Sequence, residues 1–227
     1  MSDVNVLDKL CAGSGLWRAR ELPGHRPGSK GSGSDGIGTG FPALDAELVD
    51  HGWPSAGLTE LLCAVPGIGE LRLVSPALSL LCTTEDRLIT WVAPPFVPYA
   101  PALQAAGIDL AKVLLVHPDS HGEALWALEQ ALRTGACCAV LGWLSESRLK
   151  FAELRRLQFA ARQGGAWGSL FRPQDALGDP SAAELRLHLQ PRHGGLLVDI
   201  VKRRSGWPVP GIELTFDNPE SGVAERV

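Results

Sequence analysis

Several features that mark specialised classes of protein are missing from this sequence. No apolar run approaches the ~20 residues that a membrane-spanning helix needs. The first residues, MSDVNVLDKLCAGSG, have neither the basic start nor the long apolar core of a signal peptide. The five cysteines are odd in number and include no Cys-x-x-Cys pair, so we predict neither a disulfide framework nor a zinc site. We therefore expect a cytoplasmic protein with no membrane association.

An excess of positive charge is also absent. The chain has 21 Lys and Arg against 25 Asp and Glu, for a formal net charge of −4. Because strong, sequence-independent binding to nucleic acid depends on neutralising phosphates, this balance predicts that DNA binding is weak or indirect. The hydrophobic content of 45% and the charged content of 20% are typical of ordinary globular domains.

The composition changes along the chain and predicts four parts. Residues 24–40, GHRPGSKGSGSDGIGTG, are rich in glycine and serine and indicate a flexible linker. Residues 1–23 carry a few apolar anchors and form either a tethered short helix or a frayed tail. Residues 41–216 are predicted to form one domain, and the polar residues 217–227 a disordered tail.

Apolar stretches alternate with helical patterns through the first half of the domain. Strands are predicted at 58–63, 88–93, 112–117 and 137–144, with helices between them, which is typical of a mostly parallel central sheet flanked by helices. The later apolar stretches are closer together and predict an antiparallel extension at one side of the sheet. These stretches are residues 167–172, 184–189, 196–203 and 212–216. The predicted fold class is therefore α/β.

The segment AVPGIGEL has the glycines of a phosphate-binding loop (P-loop) but not its charged groups. Pro66, Gly67 and Gly69 allow the turn, whereas Glu70 stands where a lysine grips phosphate and Leu71 where a hydroxyl holds magnesium. At ~4 Å and an effective dielectric constant of ~20, a carboxylate repels a phosphate charge by ~4 kcal/mol. We therefore predict a degenerate P-loop with no cofactor, no metal and no catalytic residue.

Longer segments resemble the RecA recombinase family, over about residues 39 to 205. More narrowly, the chain is similar to the ImuA family of RecA-like accessory proteins, which groups with the SulA cell-division inhibitors. The segments that carry the resemblance include TGFPALDAEL, GLTELLCAVPGIGELRL, PYAPALQAAGID, GEALWALEQALRTGA and VKRRSGWP.

The resemblance implies a RecA-like core and a non-catalytic accessory protein of SOS-induced translesion DNA synthesis. Its implied partners are RecA and an ImuB-like homologue of Y-family polymerases, with an error-prone DnaE-type polymerase as an indirect partner. Two alternatives stay open. One is a SulA-like inhibitor of cell division that binds the tubulin-like protein FtsZ. The other is an atypical ATP-binding enzyme in which Arg72 replaces the lysine, although Arg72 is two positions late and should face away.

Arginine and tryptophan supply the candidate partner-binding residues, because both are enriched at interface hot spots. Seven-residue spacing predicts an arginine stripe on one helix, with a solvated helix face as the alternative. A second, basic cluster ends a predicted strand, with a plain surface turn as the alternative. The candidates are Trp17, Arg148, Arg155, Arg162, Lys202, Arg203, Arg204 and Trp207. Trp53 is also predicted to be exposed, whereas Trp91, Trp143 and Trp167 are predicted core residues.

Overall fold

Alternating strands and helices form the domain in the computed structural model, which describes residues 36–144 and 149–216. The predicted segment 1–23, most of the predicted linker and the tail 217–227 lie outside the described residues, as do Trp17 and Arg148. In chain order the elements are α1 (Pro42–Asp45), β1 (Gly57–Cys63), α2 (Glu70–Thr84), β2 (Leu88–Val92), α3 (Ala100–Ala105), β3 (Val113–Val116), α4 (His121–Arg133), β4 (Cys137–Trp143), α5 (Phe151–Gly164), β5 (Trp167–Pro173), β6 (Leu185–Arg192), β7 (Gly195–Lys202) and β8 (Val209–Thr215).

The eight strands of the described residues form one sheet in the order β3-β2-β4-β5-β1-β6-β7-β8. The first six strands in this order, β3 through β6, are parallel to one another. At the β6 side of the sheet, β7 pairs antiparallel with β6, and β8 pairs antiparallel with β7. Every residue of β1 is buried, as expected for a central strand covered on both faces. The predicted α/β class is confirmed.

The helices cover the two faces of the sheet in separate layers. On one face, α2 buries Leu73, Val74, Ala77 and Leu78 in a core that also contains Leu103 of α3. On the other face, α4 and α5 pack against the sheet through Leu128, Leu132, Leu154 and Leu157. The helices that follow neighbouring strands β2 and β4 therefore lie on opposite faces, which opens a crevice at the carboxyl ends of these strands.

The position of β5 corrects the sequence prediction. Residues 167–172 were expected in the antiparallel extension, but β5 lies between β4 and β1 and is parallel to both. Ser169 and Arg172 gave this strand an alternating, half-polar pattern, yet both side chains are buried. The pattern was misleading because a buried polar residue with partners looks, in sequence, like an exposed one.

Trp53 is a second correction, because it is fully buried rather than exposed. Its indole stacks on that of Trp167, with ring centroids 5.3 Å apart and an interplanar angle of 22°. The backbone of Trp53 also pairs with Ile37, which belongs to the predicted linker. The described end of that linker, residues 36–40, therefore packs on the domain, and the domain begins before residue 41.

No helix in the described residues combines the length and the apolar character that crossing a bilayer requires.

Candidate functional site

The loop between β1 and α2, residues 64–69, lies at the carboxyl edge of the parallel strands. Gly67 and Gly69 have φ angles of 91° and 114°, a left-handed conformation that favours glycine. A Cβ atom at Gly69 would also lie 2.6 Å from a ring carbon of Phe216. Glycine is therefore required at position 69 by both the backbone conformation and the close approach of the Phe216 ring.

The side chain of Glu70 closes this loop from within. Its Oε1 accepts a hydrogen bond from the Gly67 N–H at 2.7 Å, and its Oε2 accepts one from the Gly69 N–H at 3.1 Å. Glu70 is buried, although it is the first residue of α2. Backbone N–H groups of this kind surround phosphate in a nucleotide-binding loop. Here the chain's own carboxylate occupies two of them, so a phosphate would have to displace a buried anion.

The neighbouring side chains do not complete a nucleotide or metal site. Leu71 packs against the hydrophobic core and has no atom that ligates a metal. The guanidinium of Arg72 lies over the Phe216 ring, with its Cζ 4.5 Å from the ring centroid. Within the described part of the chain, no group of three His, Cys, Asp or Glu side chains could hold a metal ion.

A cavity of about 390 Å³ lies beside the loop, at the carboxyl ends of β1, β2, β4 and β5. Its lining is mostly apolar and includes Pro66, Pro95, Leu144, Trp143 and Phe171. The rings of Trp143 and Phe171 stack with centroids 4.6 Å apart. A crevice of this size and character at the carboxyl ends of parallel strands is a typical binding position in α/β folds.

Exposed apolar side chains are close in the chain to Ala64, Pro66 and Pro95, which line this cavity. Phe96, Val97 and Tyr99 follow β2 and are 72%, 84% and 73% exposed, and Val65 in the loop is 58% exposed. We call these four residues the apolar rim. Apolar side chains grouped in this way mark interaction surfaces. These residues were not among the predicted binding residues, although the segment PPFVPY carries a signal. Its prolines disfavour a strand or helix that would bury its large apolar side chains.

Beneath the site, one carboxylate pairs with two arginines in the interior of the sheet. Glu60 on β1 lies 2.5 Å from Nη1 of Arg172 and 2.7 Å from Nε of Arg186, and all three residues are buried. Arg186 also donates hydrogen bonds to the carbonyls of Ala176 and Asp179. These contacts join β1, β5 and β6, so Glu60 has a structural role.

The described cysteines are buried and free. Burial, and to a smaller extent the negative charge of Glu70, raises the pKa of the Cys63 thiol to about 11. Burial likewise raises the pKa of Cys138 to about 11. Both thiols are therefore protonated at neutral pH and are poor nucleophiles.

The predicted basic cluster after β7 largely makes contacts within the domain. Lys202 donates to the carbonyl of Ser181 at 2.8 Å, and burial lowers its pKa. Arg203 donates to the carbonyls of Glu47 and Trp207. Arg204 lies 3.5 Å from Asp50 and 3.8 Å from Glu184. Trp207 itself is 85% exposed. A role of these residues in partner binding stays a prediction.

Of the predicted arginine stripe, Arg155 and Arg162 lie on α5, whereas Arg148 lies outside the described residues. A role of the stripe in partner binding stays a prediction. Lys150 precedes the helix, and the Glu153 side chain accepts a hydrogen bond from its N–H in a capping box. Arg155 is exposed, whereas Arg162 forms an ion pair of 2.8 Å with Glu184.

The fold and the site together define an α/β domain with a glycine loop closed by its own glutamate, beside an apolar cavity. A family model described as "Cell division inhibitor SulA" matches residues 63–168. The cell division inhibitor SulA of Yersinia enterocolitica is 31% identical over 144 residues, which are 63% of this chain and 84% of that protein. This chain belongs to the SulA family.

Two further relatives define the extent of the similarity. SulA of Edwardsiella piscicida is 37% identical over 105 residues, 46% of this chain and 61% of that protein. SulA of Photorhabdus laumondii is 36% identical over 109 residues, 48% of this chain and 60% of that protein. This chain therefore spans about three fifths of the length of each of these two relatives. The crystal structure of SulA from Pseudomonas aeruginosa is 30% identical in sequence, with a TM-score of 0.42, and the match covers 51% of this chain and 97% of that one.

These matches correct the predicted function. The implied role as an ImuA-type accessory protein of translesion synthesis is wrong, because the matching family and relatives are described as cell division inhibitors. The predicted partners ImuB, RecA and DnaE-type polymerase depended on that resemblance and have no support without it.

Proposed function

We propose that this protein inhibits cell division during the SOS response by binding FtsZ, without catalysing a reaction. The observation that carries the proposal is membership of the SulA family, whose matching members are described as cell division inhibitors. The matched residues 63–168 extend from the end of β1 to the start of β5. They contain the glycine loop, most of the cavity lining and the whole apolar rim.

The carboxyl edge of the sheet is the proposed FtsZ-binding surface. An apolar side chain of FtsZ would enter the cavity and be contacted by the stacked rings of Trp143 and Phe171. Phe96, Val97 and Tyr99 would be buried around it. Large apolar and aromatic side chains that leave water in this way supply most of the binding free energy at hot spots.

The domain is further proposed to be a RecA-like core whose degenerate P-loop no longer binds nucleotide. The hydrogen bonds from Gly67 and Gly69 to Glu70 support this proposal, because they occupy donors that a phosphate would need. In isothermal titration calorimetry, ATP with magnesium should then give no binding heat. Saturable binding with turnover would contradict the proposed loss of nucleotide chemistry.

The binding proposal is tested by adding purified protein to FtsZ polymerising with GTP. We expect the sedimented polymer and the GTPase rate to fall with increasing protein and to level off at a fixed stoichiometry. A catalytic inhibitor would instead act at substoichiometric amounts. Unchanged FtsZ polymerisation at excess protein would contradict the proposal.

The binding surface is tested with the double variant Phe96→Ser, Tyr99→Ser. Both side chains are largely exposed, so the fold should be retained while inhibition weakens by at least about tenfold. Leu80→Ser is the matched control, because Leu80 is an exposed apolar residue on α2 outside the apolar rim. Equal inhibition by the double variant and the control would place FtsZ binding on another surface.

A further inference from the structure

The outer surface of α4 and α5 carries aromatic and arginine side chains that the proposed FtsZ surface does not use. The helices lie side by side, since Glu129 on α4 binds Arg156 on α5. Their inner sides fill the core under the sheet. Their outer sides expose Trp126, Arg133, Arg155, Arg156 and Phe159, which we call the α4–α5 face.

The two aromatic residues of this face are unusually open to solvent. Trp126 and Phe159 lie within the two helices, yet each is 65% exposed. Neither contributes to the core, so the fold gives no reason for an aromatic side chain at these positions. Exposed aromatic side chains beside arginines have the composition of an interface hot spot.

The charge of the face is opposite to that of the whole chain. Glu129 is nearly buried and accepts hydrogen bonds from both Arg133 and Arg156. Arg155 forms no ion pair with any described residue. Two guanidinium groups therefore share the Glu129 carboxylate and the third, that of Arg155, adds a further positive charge. Positive charge thus remains on this surface although the net charge of the chain is −4. Such a surface attracts carboxylates and repels cationic partners.

We propose that the α4–α5 face binds an acidic peptide segment that carries an apolar side chain. The guanidinium groups of Arg155 and Arg156 would pair with its carboxylates, a geometry that arginine favours. The apolar side chain would cover Trp126 and Phe159. The negative charge of the whole chain disfavours a polyanion such as DNA. Two isolated aromatic residues are also fewer than the broad apolar face that a helix needs to lie in a membrane surface.

Fluorescence anisotropy tests the proposal with a short fluorescein-labelled peptide in which Asp and Glu alternate with Leu and Phe. The full-length protein is expected to bind this peptide saturably, and the double variant Arg155→Gln, Phe159→Ala at least about tenfold more weakly. Trp126→Ala is a second, independent variant with the same expectation. Arg192→Gln is the matched control and should bind like the unaltered protein, because Arg192 is an exposed arginine on the β6–β7 hairpin.

Three results would overturn the proposal. The first is the absence of saturable peptide binding, and the second is equal affinity of the face variants and Arg192→Gln. The third is binding to single-stranded oligothymidylate or to phosphatidylglycerol vesicles that exceeds peptide binding and is lost in the face variants. Circular dichroism of each variant is the control for folding and should give the spectrum of the unaltered protein, because the altered positions are exposed. FtsZ inhibition is a separate readout, and it should be unchanged in the face variants.

Discussion

The Glu70 carboxylate accepts a hydrogen bond from the backbone N–H of Gly67 at 2.7 Å, so α2 begins with its own anion at its N-terminus. Negative charge is favourable there, because the N–H groups of the first turn have no partner within the helix. The position that would need a positive charge to bind phosphate thus carries a negative one that stabilises the loop.

Replacing Glu70 with alanine should lower the free energy of unfolding by about 1–3 kcal/mol, because two backbone donors lose a charged acceptor. Urea denaturation followed by circular dichroism measures the change. Glu213→Ala removes an exposed carboxylate that pairs with Arg192 and should change the free energy by at most ~1 kcal/mol. Equal losses in the two variants would show that the hydrogen bonds of Glu70 do not stabilise the loop.

Replacing Glu60 with glutamine should be more destabilising, by about 3–5 kcal/mol, because Arg172 and Arg186 would lose the buried carboxylate that both approach. The triple variant Glu60→Leu, Arg172→Met, Arg186→Met removes all three charges and should recover most of that loss. Urea denaturation of both variants provides the measurement. If the triple variant were less stable than Glu60→Gln, the ion pairs of Glu60 with Arg172 and Arg186 would make a net favourable contribution to the free energy of unfolding.

Strands and helices could be predicted because their signals are local. The apolar runs of β1 and β4 depend only on nearby residues, and the structure has these two strands close to the predicted bounds. The turn of the glycine loop could be predicted for the same reason, since Gly67 and Gly69 directly precede the helix that starts at Glu70.

Contacts between distant segments could not be predicted in this way. Trp53 looked exposed beside glycine and proline, but its partner Trp167 lies more than a hundred residues away. Residues 167–172 were predicted in the antiparallel extension, because the sequence does not show that Arg172 pairs with the distant Glu60. The folding back of Glu70 onto the loop likewise depends on a side-chain conformation that a sequence pattern does not encode.

Two buried thiols should make stability depend on pH under alkaline conditions. In the folded protein the pKa values of Cys63 and Cys138 are each about 11, above the ordinary value of 9.0. Below about pH 9 both thiols are protonated in either state and contribute no pH dependence. As the pH rises from about 9 to about 11, the unfolded chain loses these protons first, so the free energy of unfolding falls.

Urea denaturation at a series of pH values tests this expectation. The double variant Cys63→Ala, Cys138→Ala should lose less stability between about pH 9 and about pH 11 than the unaltered protein, because its unfolded state has two fewer thiols to ionise. Identical pH dependence of the two proteins would show that other groups cause the alkaline loss. Cysteine-specific alkylation of the four described thiols at neutral pH should likewise be slow, since all four are buried. The four are Cys63, Cys82, Cys137 and Cys138.

The two tryptophans that looked alike in sequence should respond in opposite ways to truncation. Trp53→Ala removes a fully buried ring that stacks on Trp167, so unfolding should become easier by about 3–5 kcal/mol. Trp207→Ala removes a ring that is 85% exposed and should change stability by at most ~0.5 kcal/mol. Urea denaturation at neutral pH compares the two. Similar losses would mean that Trp207 is covered in solution, whereas a small loss for Trp53→Ala would mean that the core refills the space that its indole leaves.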